Sequence, residues 1–343
     1  MSVLVTADLH FSDNPRDQYR FDFMRDLEML INEKKPSKLL ILGDLTEKKD
    51  FHSSVLVNMV CDAFERLAAF CSVYILRGNH DGLDPAWPFF EFLQILSDRI
   101  TFIKQPMEFR WEDMGRCLFL PHTTNYKKDW SNYISRDFDG YNFVFAHNTF
   151  KGTVSESGKE LDGIPTSIFP RGVNVYAGDI HKPQRVGNRV EYVGSPYTVD
   201  FGDDYDPRVL LLERLEFGCN SEIVIRCEGN QKRLVESCVV DTGGILYNAH
   251  HVNPYDVLKV RVALTREQYA DWPTYKDEVM KWGEDNCYRI HMVQPVVEGT
   301  KTKKALKHRE DSGSNREILE DYGKHTGIDT ATMKTGLRIL ERG

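Results

Sequence analysis

The chain has no CxxC pair, no apolar run approaching bilayer length and no excess of basic residues. Its seven cysteines (Cys61, Cys71, Cys117, Cys219, Cys227, Cys238 and Cys287) are spread over 343 residues. That spacing suits neither a disulfide framework nor a zinc cluster, and it reads as reduced, buried thiols. The longest hydrophobic stretches fall far short of the ~20 residues a membrane-spanning helix needs. The opening "MSVLVTADLH" is broken by Asp8 and His10 before it could act as a secretory signal, so a cytoplasmic, non-membrane protein is expected. The net charge of −8 is uneven: residues 1–230 hold 26 Lys and Arg against 35 Asp and Glu, residues 231–343 hold 18 against 17. An acidic body argues against broad nucleic-acid binding by bulk charge. It still admits a phosphate substrate, because cations held by clustered carboxylates reverse the local field.

What is present is a series of short apolar runs that end in polar residues. They are "SVLVTADLH", "KLLILGDLT", "SVYILRGNHD", "CLFLPHTTN", "YNFVFAHNTF", "VNVYAGDIH", "RVEYVGSP" and "RVLLLERL". Their nearly continuous hydrophobicity predicts strands covered on both faces. Between the first three lie helical patterns over 19–34 and 53–70, with apolar residues at three-and-four spacing. Alternating strand and helix predicts an α/β core with parallel pairs. From about residue 115 strands follow one another with little helix, which predicts a second, more antiparallel sheet and hence a sandwich with helices outside. The expected divisions are a main domain over 1–230, a small α+β domain over 231–298, and a basic linker with a helical tail over 299–343.

The polar residues at the strand ends are the chemistry. Asp8 and His10 are two apart on an extended run and share a face, as do Asp179 and His181. Asp44, Asn79, His80 and His147 end other strands, where α/β sheets gather their ligands. Taken singly, each has a plain reading as a structural histidine or a turn residue. As a set of carboxylates, imidazoles and one amide without a thiolate, they suit Mn²⁺, Fe²⁺ or Zn²⁺ in a five- or six-coordinate site.

The order DxH, GD, GNHD, lone His, GDxH resembles that of the calcineurin-type metallophosphoesterases, in which the last motif is GHxH. More narrowly, "FHSS" after the second motif and "HKPQRVGNRVEYVGSPYTVDFGD" at the last resemble the SbcD-type nuclease subunits of bacteria and phages. These act with an SMC-like, SbcC-type ATPase in DNA recombination, repair or replication. The resemblance implies a sandwich of two mixed sheets with a small C-terminal capping domain and a helical tail. It implies exonuclease and endonuclease activity through a hydroxide activated by two divalent cations, Mn²⁺ first, with Mg²⁺ or Fe²⁺ as alternatives.

Carried over by position, one metal falls to Asp8, His10 and His181, and the other to Asn79, His147 and Asp179, with Asp44 bridging. Asp179 stands where the family has histidine. The exchange is expected to keep a ligand and make that side harder, favouring Mn²⁺ or Mg²⁺ over Zn²⁺. His80 matches the histidine beside the scissile phosphate, and His52 a histidine near the site. Asp81 is expected either to orient His80 or to cap its turn. The implied partners are DNA, the ATPase reached through the C-terminal helices, and a second copy of the chain through surfaces near 55–70 or 86–96. Two other readings remain open at this point: a small-substrate phosphatase or cyclic-nucleotide phosphodiesterase, and a non-catalytic DNA-end-binding scaffold.

Overall fold

Four short apolar strands, β1 (Ser2–Thr6), β2 (Lys38–Ile41), β3 (Ser72–Leu76) and β4 (Ile100–Ile103), pair in parallel in that order. A second sheet takes β5 (Met107–Trp111), β6 (Gly115–Leu120), β7 (Phe143–His147), β8 (Asn174–Gly178), β9 (Gln184–Val186) and β10 (Val190–Tyr192), in the order β5-β6-β7-β8-β10-β9. The chain then returns to the first sheet, where β11 (Arg208–Arg214) pairs antiparallel with β1, and β12 (Asn220–Arg226) with β11. This computed structural model describes residues 2–297 apart from 113, 135–139, 156–157, 188, 215–219, 228–230 and 241–243; the linker and tail expected over 299–343 lie outside the described residues.

The architecture is the expected mixed α/β sandwich, with two differences. The second sheet is parallel through its centre (β6, β7, β8 and β10) and antiparallel only at its edges. The strand at "RVLLLERL" belongs to the first sheet, not the second. Hydrophobicity marks a strand as buried but says nothing about which strand it pairs with, so both differences concern partners rather than elements.

Alternation along the strands builds the layers. Val3 and Val5 of β1 point between the sheets, where they meet Leu40, Phe119, Phe143 and Phe145. Leu4 points the other way, onto α1 (Gln18–Lys34) and α2 (Ser54–Phe70). With an apolar layer on each side, every β1 side chain is buried, which explains the unbroken run in the sequence. Helix α2 starts where the Ser53 hydroxyl accepts the Leu56 N–H at 3.1 Å, and α1 stops at Lys35 in the left-handed conformation. Among the described residues no helix is long and apolar enough to cross a membrane.

A third sheet, β14-β13-β15-β16, is built from β13 (Lys232–Val239), β14 (Ile245–Tyr247), β15 (Val257–Leu264) and β16 (Arg289–Val297). Helix α3 (Trp272–Asp285) packs Val279 against Val235, Val260 and Val262, and Trp282 stacks on Tyr247 with centroids 4.0 Å apart. The Lys232 ammonium joins this layer to the body through Asp17 at 3.0 Å and the Val199 carbonyl at 3.0 Å.

Candidate metal centre

The carboxyl ends of β1, β2 and β3 meet those of β7 and β8; His147 ends β7 itself, and the loops leaving the other four strands carry Asp8, His10, Asp44, Asn79, His80, Asp179 and His181. Four of these residues hold left-handed backbone: Asp8 (φ 54°), His10 (φ 43°), Asp44 (φ 53°) and Asp179 (φ 92°). Such conformations cost of order 1–3 kcal/mol each and persist where surroundings over-determine them. Here the fixing bonds run between the loops. Asp8 N–H donates to Gly43 O at 3.1 Å, His10 N–H to Asp44 O at 2.9 Å, and Asp179 N–H to Asp8 Oδ1 at 3.0 Å. Glycine allows the approach at two of these loops. A Cβ at Gly43 would lie 2.2 Å from His147 Nδ1, and one at Gly78 would lie 2.2 Å from Asp44 Oδ1.

The side chains fall into two groups that share Asp44. Asp44 Oδ2 is 3.5 Å from His10 Nε2, and Asp44 Oδ1 is 3.4 Å from His147 Nε2. On the first side His10 Nε2 and His181 Nε2 face each other at 3.1 Å. Asp8 Oδ2 is a buried oxygen with no hydrogen-bond partner. On the second side His147 Nε2 lies 2.9 Å from the Asn79 amide and 3.7 Å from Asp179 Oδ1. His147 Nδ1 lies 2.6 Å from the Leu42 carbonyl, which can only accept. That contact places a proton on Nδ1 and turns Nε2 toward the carboxylates. Asp8, Asp44 and His147 bring one ligand atom each within 4.8 Å of one another, all three buried.

The electrostatics say which charge this pocket favours. Burial raises the Asp8 carboxyl well above its ordinary range, and the neighbouring Asp44 carboxylate adds to the rise. Burial would also raise Asp44, but the adjoining His147 imidazole holds it well below the usual carboxylate value. Burial opposes a charged His147, yet the Asp44 carboxylate, with Asp179 and Asp8, pushes its pKa up to about 10. Burial lowers His10 well below the ordinary imidazole value against the pull of Asp44, and the neighbouring His181, His80 and Arg20 add to the fall. Three carboxylates, three imidazoles and an amide thus converge on space that favours positive charge. The orphaned Asp8 Oδ2 and the facing His10 and His181 nitrogens fit divalent cations with oxygen and nitrogen ligands.

Of the residues expected beside the metals, His80 lies against Asp44 and His10. Its N–H donates to Asp44 Oδ1 at 2.8 Å, its Nδ1 lies 2.7 Å from the Glu47 carbonyl, and its ring meets that of His10 edge-on at 4.9 Å. Asp81 does not orient it. The Asp81 carboxylate accepts the backbone N–H groups of Gly78 (2.6 Å), Leu45 (2.8 Å) and Asp44 (3.1 Å), tying the β2 and β3 loops together. This is the turn-capping alternative, and it prevails because three buried donors need an acceptor. The contacts of His52 are to Phe89 and Phe90, at 4.3 and 5.0 Å between centroids, and to the Lys49 carbonyl. His122 comes near, its ring centroid 6.1 Å from that of His147.

Three supporting residues escaped the sequence reading. Glu47 places its carboxylate 3.5 Å from His10 Nδ1 and 2.8 Å from Arg20 Nη1, while Arg20 also donates to the His10 carbonyl. Thr149 donates to Asp179 Oδ2 at 2.5 Å, leaving Oδ1 for the His147 side. A signal existed for Arg20, a cation on the apolar face of α1 between Tyr19 and Phe21. Glu47 and Thr149 offered only ordinary polar loop composition.

Residues 1–183, over half the chain, match the family model described as Calcineurin-like phosphoesterase. A search of curated proteins gives no match. Among solved structures the chain is similar to an archaeal phosphodiesterase, with 14% identity, 66% of this chain and 100% of that one covered, and a TM-score of 0.37. It is also similar to GAP50, the anchor in the inner membrane complex of Plasmodium (10% identity, 68% and 86% covered, TM-score 0.45). A dimetal phosphatase from Danio rerio aligns at 12% identity, with 66% and 99% covered and a TM-score of 0.39.

Proposed function

The chain belongs to the calcineurin-like phosphoesterase family, and on that premise we propose that it is a DNA nuclease subunit of the SbcD type, cutting phosphodiester bonds as an exonuclease and endonuclease. The observation that carries hydrolysis is the division of Asp44, one oxygen 3.5 Å from His10 and the other 3.4 Å from His147. Divalent cations held there, Mn²⁺ before Mg²⁺ or Fe²⁺, would neutralise the phosphodiester and lower the pKa of water. Asp8, His10 and His181 hold one side, Asn79, His147 and Asp179 the other. An anionic Asp179 in place of a neutral imidazole makes the His147 side harder and less suited to Zn²⁺. With its Nδ1 proton committed to the Glu47 carbonyl, His80 keeps Nε2 as the atom that donates a proton to the leaving oxygen.

The nuclease reading draws on the third sheet, which a small-substrate phosphatase does not require. The SMC-like ATPase is proposed to dock on the C-terminal apolar helical patterns around Ile318, Leu319, Leu337 and Ile339. A second copy of the chain is proposed to cover the apolar surface at Val55 and Ile95, which are 62% and 82% exposed.

The test is end-labelled DNA with the purified chain and Mn²⁺. Degradation is expected, abolished by EDTA and reduced roughly 100-fold or more by His80→Ala. Rapid turnover of p-nitrophenyl phosphate with intact DNA would replace the nuclease by a phosphatase. Full activity in a variant lacking both Asp44 and His147 would overturn the shared centre.

A further inference from the structure

A pocket of about 650 Å³ opens beside the His147 side of the metal centre. Its inner wall is Arg77 and His122, and its outer wall is Trp87, Lys104 and Gln105. The wall is continuous with the centre. Arg77 directly precedes the Gly78-Asn79-His80 loop, His122 N–H donates to the Arg77 carbonyl at 3.0 Å, and the His122 ring lies 6.1 Å from that of His147.

Two features suggest that the pocket takes a ligand. The first is Trp87, an indole left 74% exposed on a braced turn. Ala86 N–H and Trp87 N–H are both held by Asp84, and Lys104 Nζ binds the Ala86 carbonyl at 3.0 Å and Glu91 at 2.7 Å. The same ammonium lies 5.5 Å from the centre of the Trp87 ring, so one face of the indole is backed by a cation. An aromatic side chain this exposed and this well fixed is a preformed stacking surface rather than a core residue. The second is a pair of buried atoms in the inner wall, Arg77 Nε and His122 Nδ1, that have no hydrogen-bond partner. Pro85, Pro106 and Pro121 stiffen the rim.

We propose that this pocket is a nucleobase subsite, in which Trp87 stacks on the base of a nucleotide next to the scissile phosphate while the Arg77 and His122 wall faces the base edge. A planar heterocycle uses the indole face and the polar wall together, whereas a bare phosphate has no use for an indole. The subsite rests on the nuclease reading above and deepens it, naming the residues that hold a base of the nucleic-acid substrate beside the metal centre.

The test compares two substrates of the Mn²⁺-loaded full chain, a single-stranded oligonucleotide and bis(p-nitrophenyl) phosphate, a diester without bases. For Trp87→Ala the ratio of kcat/KM for the oligonucleotide to that for the diester is expected to fall roughly 5- to 150-fold, the range of base–aromatic stacking. An unchanged ratio overturns the subsite, even if the wild type is a nuclease. A second readout needs no turnover: ultraviolet crosslinking of a 5-iodouracil-substituted oligonucleotide to the full chain, followed by peptide mapping. Crosslinks in the peptide carrying Trp87, competed by unmodified oligonucleotide, support the subsite even if the chain cleaves nothing. Crosslinks confined to other regions, or a Trp87 that is shielded in a dimer and gives none, overturn it.

Discussion

Asp81→Asn separates two roles for a carboxylate beside the histidine proposed to act on the leaving oxygen. The substitution keeps shape and volume but replaces one of the two oxygens with an NH₂ group. Oδ2 accepts Gly78 and Asp44 N–H, and Oδ1 accepts Leu45 N–H. With the amide oxygen kept toward Gly78 and Asp44, the new NH₂ faces the Leu45 N–H at what was a 2.8 Å contact. One charge-assisted bond is lost, a buried donor is left unpaired, and the remaining two bonds weaken to neutral strength. Those terms sum to roughly 3–6 kcal/mol. Part is recovered because the ionised Asp81 is itself disfavoured, first by burial and then by the neighbouring Asp44 carboxylate. A net loss of about 2–4 kcal/mol is expected in urea denaturation of the metal-free protein. Because the lost bonds fix the loops bearing Asp44 and Asn79, Mn²⁺ affinity measured by titration calorimetry should fall as well. Activity should return at saturating Mn²⁺, since the His80 imidazole is tied to Glu47 and not to Asp81. The reasoning fails if Asp81→Asn is as stable as wild type within about 0.5 kcal/mol, a difference typical of neutral surface changes. It also fails if the activity loss persists at saturating metal with a displaced pH profile, the signature of a mis-oriented histidine.

Gly78→Ala should abolish Mn²⁺ uptake on the His147 side and destabilise the fold by about 1–3 kcal/mol, because its Cβ would lie 2.2 Å from Asp44 Oδ1; calorimetric stoichiometry and denaturation check both. Glu47→Gln should weaken Mn²⁺ binding roughly 10-fold by loosening His10 and Arg20, while the His80 tether survives because it uses the Glu47 backbone carbonyl. An unchanged affinity in that variant would show that His10 is oriented by its backbone alone. Burial raises the Cys71 thiol to about 11. The folded state therefore holds that proton longer than the unfolded chain does. The resulting stability, roughly 2–3 kcal/mol, is fully present below about pH 8.5 and is lost as pH rises toward 11. Comparing wild type with Cys71→Ala by denaturation at pH 8 and pH 10.5 checks this, and parallel pH dependence in the two proteins would refute it.

Local composition was enough to mark the elements and the inventory of the site. Runs such as "KLLILGD" are apolar on both faces, so they had to be covered strands. Three-and-four spacing defined α1 and α2 to within a residue, at Gln18–Lys34 and Ser54–Phe70. The polar residues that end β1, β2, β3, β7 and β8 stood out because nothing in a buried strand calls for Asp or His. Short or half-exposed strands such as β4 and β12 carried no comparable signal. Only the tertiary structure decided that the second sheet is parallel at its centre and that β11 returns to pair with β1, because strand partners are chosen by long-range packing rather than local composition. It also decided that Asp44 faces both groups of ligands, that Asp81 serves three backbone donors, and that Glu47 sets its side chain beside His10 and its carbonyl against His80. Those roles depend on which buried N–H, C=O and imidazole groups lack a partner once the loops have met, and that accounting does not exist until the chain has folded.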